Sequence, residues 1–163
     1  MRLSRFILLT LCVIFQAYVF GAASQLPEKV ATHFNLSGTA NGWMTKRQHL
    51  LFTSSFGIGL PLVLVGIFAF VSLLPARLVN IPNREYWLAP ERKAETCAWL
   101  QEQGVWLACV MVCWMGGLNY FTTKANTLQP PHMDIAQMGW LLFVPVIYVI
   151  FFVVQTFRRF KKR

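Results

Sequence analysis

Charged residues are scarce in this sequence, and acidic residues are the scarcest. Charged side chains make up 13% of the 163 residues, with six Asp and Glu against fifteen Lys and Arg, whereas hydrophobic residues make up 56%. A soluble domain of this composition would have too little polar surface to cover itself. The composition therefore excludes an ordinary soluble protein and predicts a membrane protein.

Several chemical signatures are also missing. The sequence has no HExxH, CxxC or Gly-rich phosphate-loop motif, so we predict that the protein is not an enzyme. Its long apolar runs contain no Asp, Glu, Lys or Arg, which argues against an ion-coupled transporter with a charged relay. Because the basic residues flank these runs, the net charge of +9 indicates membrane topology and anionic lipid, with no nucleic-acid partner.

Four apolar runs are each near the length of about 20 residues that a helix needs to cross the hydrocarbon. Helices are predicted at about residues 6–23, 46–74, 105–121 and 135–157. Lipid offers backbone groups no hydrogen-bond partners, so we predict an all-α membrane protein, a four-helix transmembrane bundle forming one domain over residues 1–163. Arg2 and Arg5 before the first run also fit a signal peptide, but its length favours an uncleaved anchor.

The distribution of basic residues predicts which segments face the cytoplasm. The two ends of the chain and the segment 75–104 hold eleven of the fifteen Lys and Arg residues, whereas segments 24–49 and 122–134 hold four. We therefore predict a plasma-membrane protein with both termini in the cytoplasm, a cytoplasmic interfacial loop at 75–104 and an outer cap at 24–45.

The outer cap begins with the alternating pattern of a half-buried strand. From residue 30 onward, Val30, Phe34 and Leu36 fall on one face, and we expect them to pack on the bundle. Ala31, His33 and Asn35 fall on the other face. The alternation therefore predicts a polar pair that points away from the bundle.

Turn and capping signals follow this strand. Gly38 and the dipeptide Asn41-Gly42 tolerate positive φ, so both are predicted turn positions. Trp43 suits the interfacial aromatic belt. Thr45 and Gln48 have the spacing of a capping box, which predicts that helix two begins at Lys46.

The run LPEKVATHFNLSGTANGWMTK resembles the motif of the bacterial domain-of-unknown-function family 1648, also found at the start of Sdp-type immunity proteins. Those membrane proteins protect a cell from a secreted peptide toxin and can signal its presence. The matching positions are Leu26, Pro27, Val30, His33, Phe34, Asn35, Gly38, Gly42, Trp43 and Lys46. Two features depart from the pattern: Ala31 stands where a proline is common, and Sdp-type proteins have more than four helices. The resemblance implies a bacterial inner-membrane protein with an immunity or signalling role.

Three functional hypotheses from different classes follow. In the first, the cap is a recognition site for a peptide or small ligand, with candidate ligand-binding residues His33, Asn35, Trp43 and Lys46 and structural residues Pro27, Phe34, Gly38 and Gly42. In the second, the chain is an accessory subunit that packs into a larger membrane complex. In the third, the protein binds a metal on the outer side.

The metal hypothesis rests on imidazole and carboxylate groups that the topology gathers on one side. His33, His49, His132 and Asp134 are the candidate ligands, and zinc is the metal that this donor set suits. Each also has a structural alternative: Asp134 with Gln137 fits an N-cap of helix four, and His33 fits a hydrogen bond inside the cap. No other cofactor is predicted.

Small residues form stripes on two of the predicted helices. Ser55, Gly59 and Gly66 share a face of helix two, and helix three has a comparable face made of Cys109, Cys113, Gly116 and Tyr120. Such stripes allow close approach of membrane helices. We therefore expect helices two and three to meet at these positions.

Overall fold

A computed structural model describes residues 2–161. In chain order the helices and strands are α1 (Arg2–Ala22), β1 (Lys29–Phe34), β2 (Ala40–Thr45), α2 (Lys46–Phe70), α3 (Arg84–Trp87), α4 (Pro90–Asn126) and α5 (Ile135–Phe160). Short 3-10 turns lie at Ala23–Gln25, Val71–Leu73 and Ala76–Leu78. In the described part of the chain, four helices, namely α1, α2, α4 and α5, are long and apolar enough to cross a membrane. The predicted all-α membrane bundle is confirmed.

The third long helix extends further than the sequence predicted. α4 begins at Pro90 rather than at residue 105, and it ends at Asn126 rather than at residue 121. Pro90 occupies the first helical turn, where its missing N–H removes no intrahelical hydrogen bond. Hydropathy marks only the apolar part of a helix, so it missed the charged turns at the start of α4.

α4 is the centre of the bundle. It packs against α1, α2 and α5, and 44% of its apolar stretch is buried, against 6% for α5. Its contact with α1 forms the main apolar core, made of Leu8, Phe15, Val19, Val105, Ala108, Cys109, Val112 and Met115. Lipid is as apolar as these side chains, so close packing rather than transfer out of water holds the helices together.

The close helix contacts occur at glycines other than those predicted. A Cβ at Gly57 would lie 2.3 Å from the Phe15 ring, and a Cβ at Gly104 would lie 2.4 Å from the Phe68 Cβ. In contrast, a Cβ at Gly59 or Gly66 would meet no described atom within 4 Å, neighbouring backbone of the same helix aside. The expectation that this stripe of α2 meets α4 was therefore wrong, and the stripe faces outward.

The end of the bundle that carries both chain ends is closed by a second apolar cluster. It contains Val79, Ile81, Leu88, Cys97, Leu100 and Phe160. The fully buried Phe160 accepts hydrogen bonds at its carbonyl oxygen from Asn83 Nδ2, at 2.8 Å, and from Trp87 Nε1, at 3.1 Å. These bonds satisfy a carbonyl that a helix C-terminus leaves open, and they tie the segment between α2 and α4 to the end of α5.

At the opposite end, β1 and β2 pair antiparallel into a hairpin that covers the bundle. The turn lies between the strands, and Gly38 has a φ of 81° there, a left-handed conformation that favours glycine. The dipeptide Asn41-Gly42, predicted as a turn, lies inside β2 instead. Glycine at position 42 allows close approach of the two strands, because a Cβ there would lie 2.7 Å from the Cβ of His33 on the paired strand.

The burial of β1 only partly follows the predicted alternation. Val30 is fully buried and Phe34 is half-buried, as expected, but Leu36 is 94% exposed. β1 ends at Phe34 and two register shifts interrupt its pairing with β2, so the period-two pattern does not extend to Leu36. Ala31, expected on the outward face, is also fully buried, because α4 lies against that side of the strand.

One side-chain amide joins the hairpin to the centre of the bundle. Asn126 Oδ1 accepts a hydrogen bond from the Ala31 N–H at 2.8 Å, and Asn126 Nδ2 donates to the Ala31 carbonyl at 2.8 Å. Nδ2 also donates to the carbonyl of Thr122 at 2.9 Å. The amide therefore satisfies both backbone groups of a fully buried strand residue, as a neighbouring strand would.

We expect Asn126→Ala to lower the free energy of unfolding by about 2–6 kcal/mol. The substitution leaves the buried N–H and C=O of Ala31 without partners, at roughly 1–3 kcal/mol for each group. The unfolding midpoint in mixed detergent and SDS micelles measures the effect, with Asn80→Ala, at an exposed amide, as the control. Equal midpoints for the two variants would contradict a structural role for the pairing.

Candidate functional site: a cavity beneath the hairpin

A cavity of about 570 Å³ lies between the hairpin and the helix ends beneath it, and we call it the covered cavity. Its walls come from both strands, the first turns of α2, the last turns of α4 and the beginning of α5. Ligand sites for small molecules typically have volumes of roughly 300–1,000 Å³. The covered cavity therefore has room for a small molecule or a large side chain, and it is much larger than a metal ion.

The start of α2 places His49 and Thr53 in the cavity wall. Thr45 Oγ1 accepts a hydrogen bond from the Gln48 N–H at 3.2 Å, and Gln48 Oε1 accepts from the Thr45 N–H at 2.9 Å. This capping box confirms the predicted helix start at Lys46. His49 and Thr53 are one helical turn apart, and both are buried.

A buried polar pair joins α2 to α4 at the cavity. His49 Nε2 lies 3.3 Å from Asn119 Oδ1, and both residues are at most 5% exposed. Tyr18 of α1 is close to Asn119 as well. Within residues 2–161, however, Asn119 Nδ2 has no hydrogen-bond partner.

The unpaired amide has an energetic consequence. A buried donor without a partner costs about 1–3 kcal/mol of stability. Oγ1 of Thr123, on the next turn of α4, is likewise buried and unpaired in the described chain. Asn119 lines the cavity although its Nδ2 is itself shielded from solvent, and the His49–Asn119 pair is therefore a candidate recognition point.

The hairpin contributes His33 and Phe34 to the opposite wall. His33 Nδ1 is hydrogen-bonded to Asn41 Oδ1 across the hairpin, which fixes the orientation of the imidazole ring. Phe34 is half-buried, as expected for a structural residue of the cap. The hairpin therefore places one polar and one aromatic side chain on the cavity.

Thioether side chains make up much of the remaining surface. Met44, Met115, Met133 and Met138 line the cavity, and they are four of the six methionines in the chain. Methionine is flexible and polarisable, so it adapts to apolar groups of different shapes. An apolar wall with a few polar groups is typical of sites that bind apolar or amphipathic ligands.

Asn35 does not share a cavity-facing surface with His33. Its Oδ1 accepts hydrogen bonds from the backbone N–H groups of Ser37, at 3.0 Å, and Thr39, at 2.9 Å. An asparagine that bonds nearby backbone groups in this way stabilises a turn. Asn35 therefore stabilises the hairpin turn.

The other two predicted ligand-binding residues also lie outside the cavity lining. Trp43 is 42% exposed, and the Lys29 ammonium lies 5.3 Å from the centre of its ring. Lys46 Nζ donates a hydrogen bond to the Leu26 carbonyl at 3.0 Å, next to the exposed Pro27. Trp43 thus contacts the first residue of β1, and Lys46 contacts the segment before that strand.

The four candidate metal ligands are not brought together. His33 and His49 line the cavity. The backbone N–H of His132 donates a hydrogen bond to the Ala125 carbonyl at 3.2 Å. The Asp134 carboxylate caps α5 by accepting a hydrogen bond from the Gln137 N–H at 3.0 Å. In residues 2–161, no group of three or more His, Cys, Asp or Glu side chains is placed to hold a metal ion. The four predicted zinc ligands therefore do not form one site in the described chain, and Asp134 has the capping role of the structural alternative.

Sequence reasoning missed Asn119 and Asn126. They are seven residues apart, so two turns of α4 place them on the same face, and Met115 lies one turn before them. Both are buried, and each contacts a different element. The available signal was a pair of amides at helical spacing near the end of an apolar helix.

The spans and the hairpin together define a multi-pass membrane protein with a covered cavity at one end of its bundle. Residues 6–58, which run from α1 through the hairpin into α2, match the family model described as Domain of unknown function (DUF1648). The match covers about a third of the chain and confirms the resemblance of this segment to that family. No match was found among curated proteins or among solved structures.

Proposed function

We propose that this membrane protein binds an apolar or amphipathic ligand in the covered cavity and catalyses no reaction. The observation that carries the proposal is the buried polar pair of His49 and Asn119, two residues that line a methionine-rich cavity of about 570 Å³. Such a wall provides apolar contact area, and the polar pair provides orientation. The volume favours a molecule or a peptide side chain over a metal ion.

The resemblance to Sdp-type immunity proteins suggests which ligand to test first. A secreted peptide that reaches the membrane from outside would meet the hairpin, and an apolar side chain of that peptide would enter the cavity. Binding of this kind would serve immunity, signalling or both. A bacterial plasma membrane is the setting that the resemblance implies.

This proposal requires the hairpin to lie outside the cell. The support is the partition of basic residues, eleven toward the chain ends and the segment 75–104 and four toward the hairpin end. Short segments rich in Lys and Arg are retained in the cytoplasm, so this excess orients the termini inward.

Cysteine labelling tests the orientation. In a chain whose four native cysteines are replaced, we expect Ser37→Cys to react with a membrane-impermeant maleimide on intact cells, because Ser37 lies in the exposed hairpin turn. Lys93→Cys, at the other end of the bundle, should react only after permeabilisation. Labelling of Lys93→Cys on intact cells would show the opposite orientation.

Peptide selection tests the binding proposal. Short amphipathic peptides would be selected on the protein in nanodiscs and counter-selected on the double variant His49→Phe/Asn119→Leu. Replacing both polar partners by apolar side chains is close to neutral for stability, so the double variant should fold. We expect the selected peptides to bind it at least about tenfold more weakly, which corresponds to the loss of about one hydrogen bond.

Single variants separate recognition from folding of the hairpin. His33→Ala should weaken peptide binding by more than it lowers the unfolding midpoint, because His33 lines the cavity and its hydrogen bond to Asn41 is exposed to solvent. Asn35→Ala should lower the midpoint, because the turn loses its side-chain acceptor. Asn80→Ala, outside the cavity, is the control for both measurements. Peptides that bound the wild type and the double variant equally would disprove binding in the cavity.

A second candidate function is that of a subunit in a larger membrane complex. It is favoured by the outward-facing groove on α2, where Leu51, Ser55, Gly59 and Val63 leave a depression of about 590 Å³ on the lipid-facing surface. Small residues in an exposed depression allow a partner helix to approach closely. The groove is separate from the polar pair of the covered cavity.

The subunit hypothesis predicts a stoichiometric membrane partner after purification in mild detergent. Gly59→Leu fills the groove and should abolish co-purification, whereas Gly139→Leu, at another open glycine on α5, should not. Purification of the wild-type chain alone, with both variants behaving identically, would exclude this second function.

A further inference from the structure

A second recess lies between α4 and α5, in the half of the bundle that carries the chain ends. Its volume is about 610 Å³, and we call it the α4–α5 groove. Its lining includes Trp99, Gln103 and Trp106 on α4 and Tyr148, Gln155 and Arg158 on α5. None of them lines the covered cavity.

The length of the α4–α5 groove matches one leaflet of a bilayer. Arg158 and Tyr148 are ten residues apart on one helix, which corresponds to about 15 Å at a rise of 1.5 Å per residue. The hydrocarbon core of a membrane is about 30 Å thick. The groove therefore extends from the end of the membrane span to about the bilayer midplane.

The chemistry of the groove changes along this length. Arg158 and Arg159 lie at its mouth, and Arg159 forms an ion pair with Glu95, so the lining retains one excess positive charge. Gln103 and Gln155 provide amides farther in. An amide in a lipid-facing wall is costly unless it meets a polar group, and lipid phosphate and ester oxygens are hydrogen-bond acceptors.

Aromatic rings line the deeper part of the groove. Trp106 is 37% exposed, and Tyr148 is half-buried between the two helices. Large rings flanking a narrow recess offer an apolar surface along which an acyl chain can lie. The groove thus has a cationic mouth, amides at an intermediate depth and an aromatic interior.

We propose that the α4–α5 groove is a binding site for one anionic glycerophospholipid from the leaflet on the side of the chain ends. Arg158 contacts the phosphate, the glutamine amides contact the glycerol and ester region, and an acyl chain lies between Trp106 and Tyr148. The positive charge at the mouth selects an anionic over a zwitterionic headgroup. This site is independent of the ligand proposed for the covered cavity.

Native mass spectrometry of the purified full-length chain tests the proposal with phosphatidylglycerol and phosphatidylcholine of identical acyl chains. We expect one phosphatidylglycerol per chain to be retained at detergent concentrations that strip phosphatidylcholine. Arg158→Gln should weaken phosphatidylglycerol binding about fivefold, the effect of one interfacial cation near an anionic headgroup. Arg77→Gln, an exposed arginine at the same end outside the groove, should leave binding unchanged.

A second variant tests the acyl-chain part of the site. Trp106→Ala removes a ring from the groove wall and should lower retention of both lipids by a similar factor, without changing the preference for the anionic headgroup. Equal retention of the two lipids by the wild type would overturn the proposal. An equal loss in Arg158→Gln and Arg77→Gln would also overturn it, because that result indicates general surface attraction.

Discussion

The pairing of Asn126 with Ala31 determines where the hairpin lies, and the covered cavity depends on it. The amide occupies both backbone groups of Ala31, so β1 lies against the end of α4 rather than out in solvent. That position sets His33 and Phe34 over the cavity. It also accounts for a departure from the family motif: a proline at position 31 would have no N–H to donate to Asn126 Oδ1, and alanine does.

One face of α4 combines core packing, a buried polar pair and attachment of the hairpin. Met115 belongs to the apolar core and lines the cavity, Asn119 pairs with His49, and Asn126 holds Ala31. Because these residues follow one another at helical spacing, the position of α4 fixes all three contacts together. α5, with 6% of its apolar stretch buried, contributes less to the core and leaves its surface to lipid and to the α4–α5 groove.

Sequence patterns predicted the features that are set by residues within one segment. They missed the contacts between residues that lie far apart in the sequence. Hydropathy located the spans, and the spacing of Thr45 and Gln48 located the start of α2, because both signals lie within the segment itself. Gly38 was correctly predicted as a turn position, whereas Asn41-Gly42 was not, because these residues belong to β2 and Gly42 pairs with His33 of β1. Asn119 was overlooked because its partner is seventy residues away in sequence.

Packing alone does not explain which side chains form the wall of the covered cavity. At positions 49 and 119, apolar side chains would fill space beside methionines and leave no polar atom unpaired. The chain instead holds a histidine and an asparagine there, at a cost of the order of 1–3 kcal/mol for the unpaired amide end. At the other end of the bundle, the Phe160 carbonyl accepts two hydrogen bonds and the Phe160 ring is fully buried. The apolar cluster that closes that end therefore leaves this carbonyl satisfied. Polar groups that break local packing rules without an internal partner are concentrated at functional sites. The two ends of the bundle therefore differ, with an unpaired amide end at the His49–Asn119 pair and a carbonyl that receives two donors at Phe160.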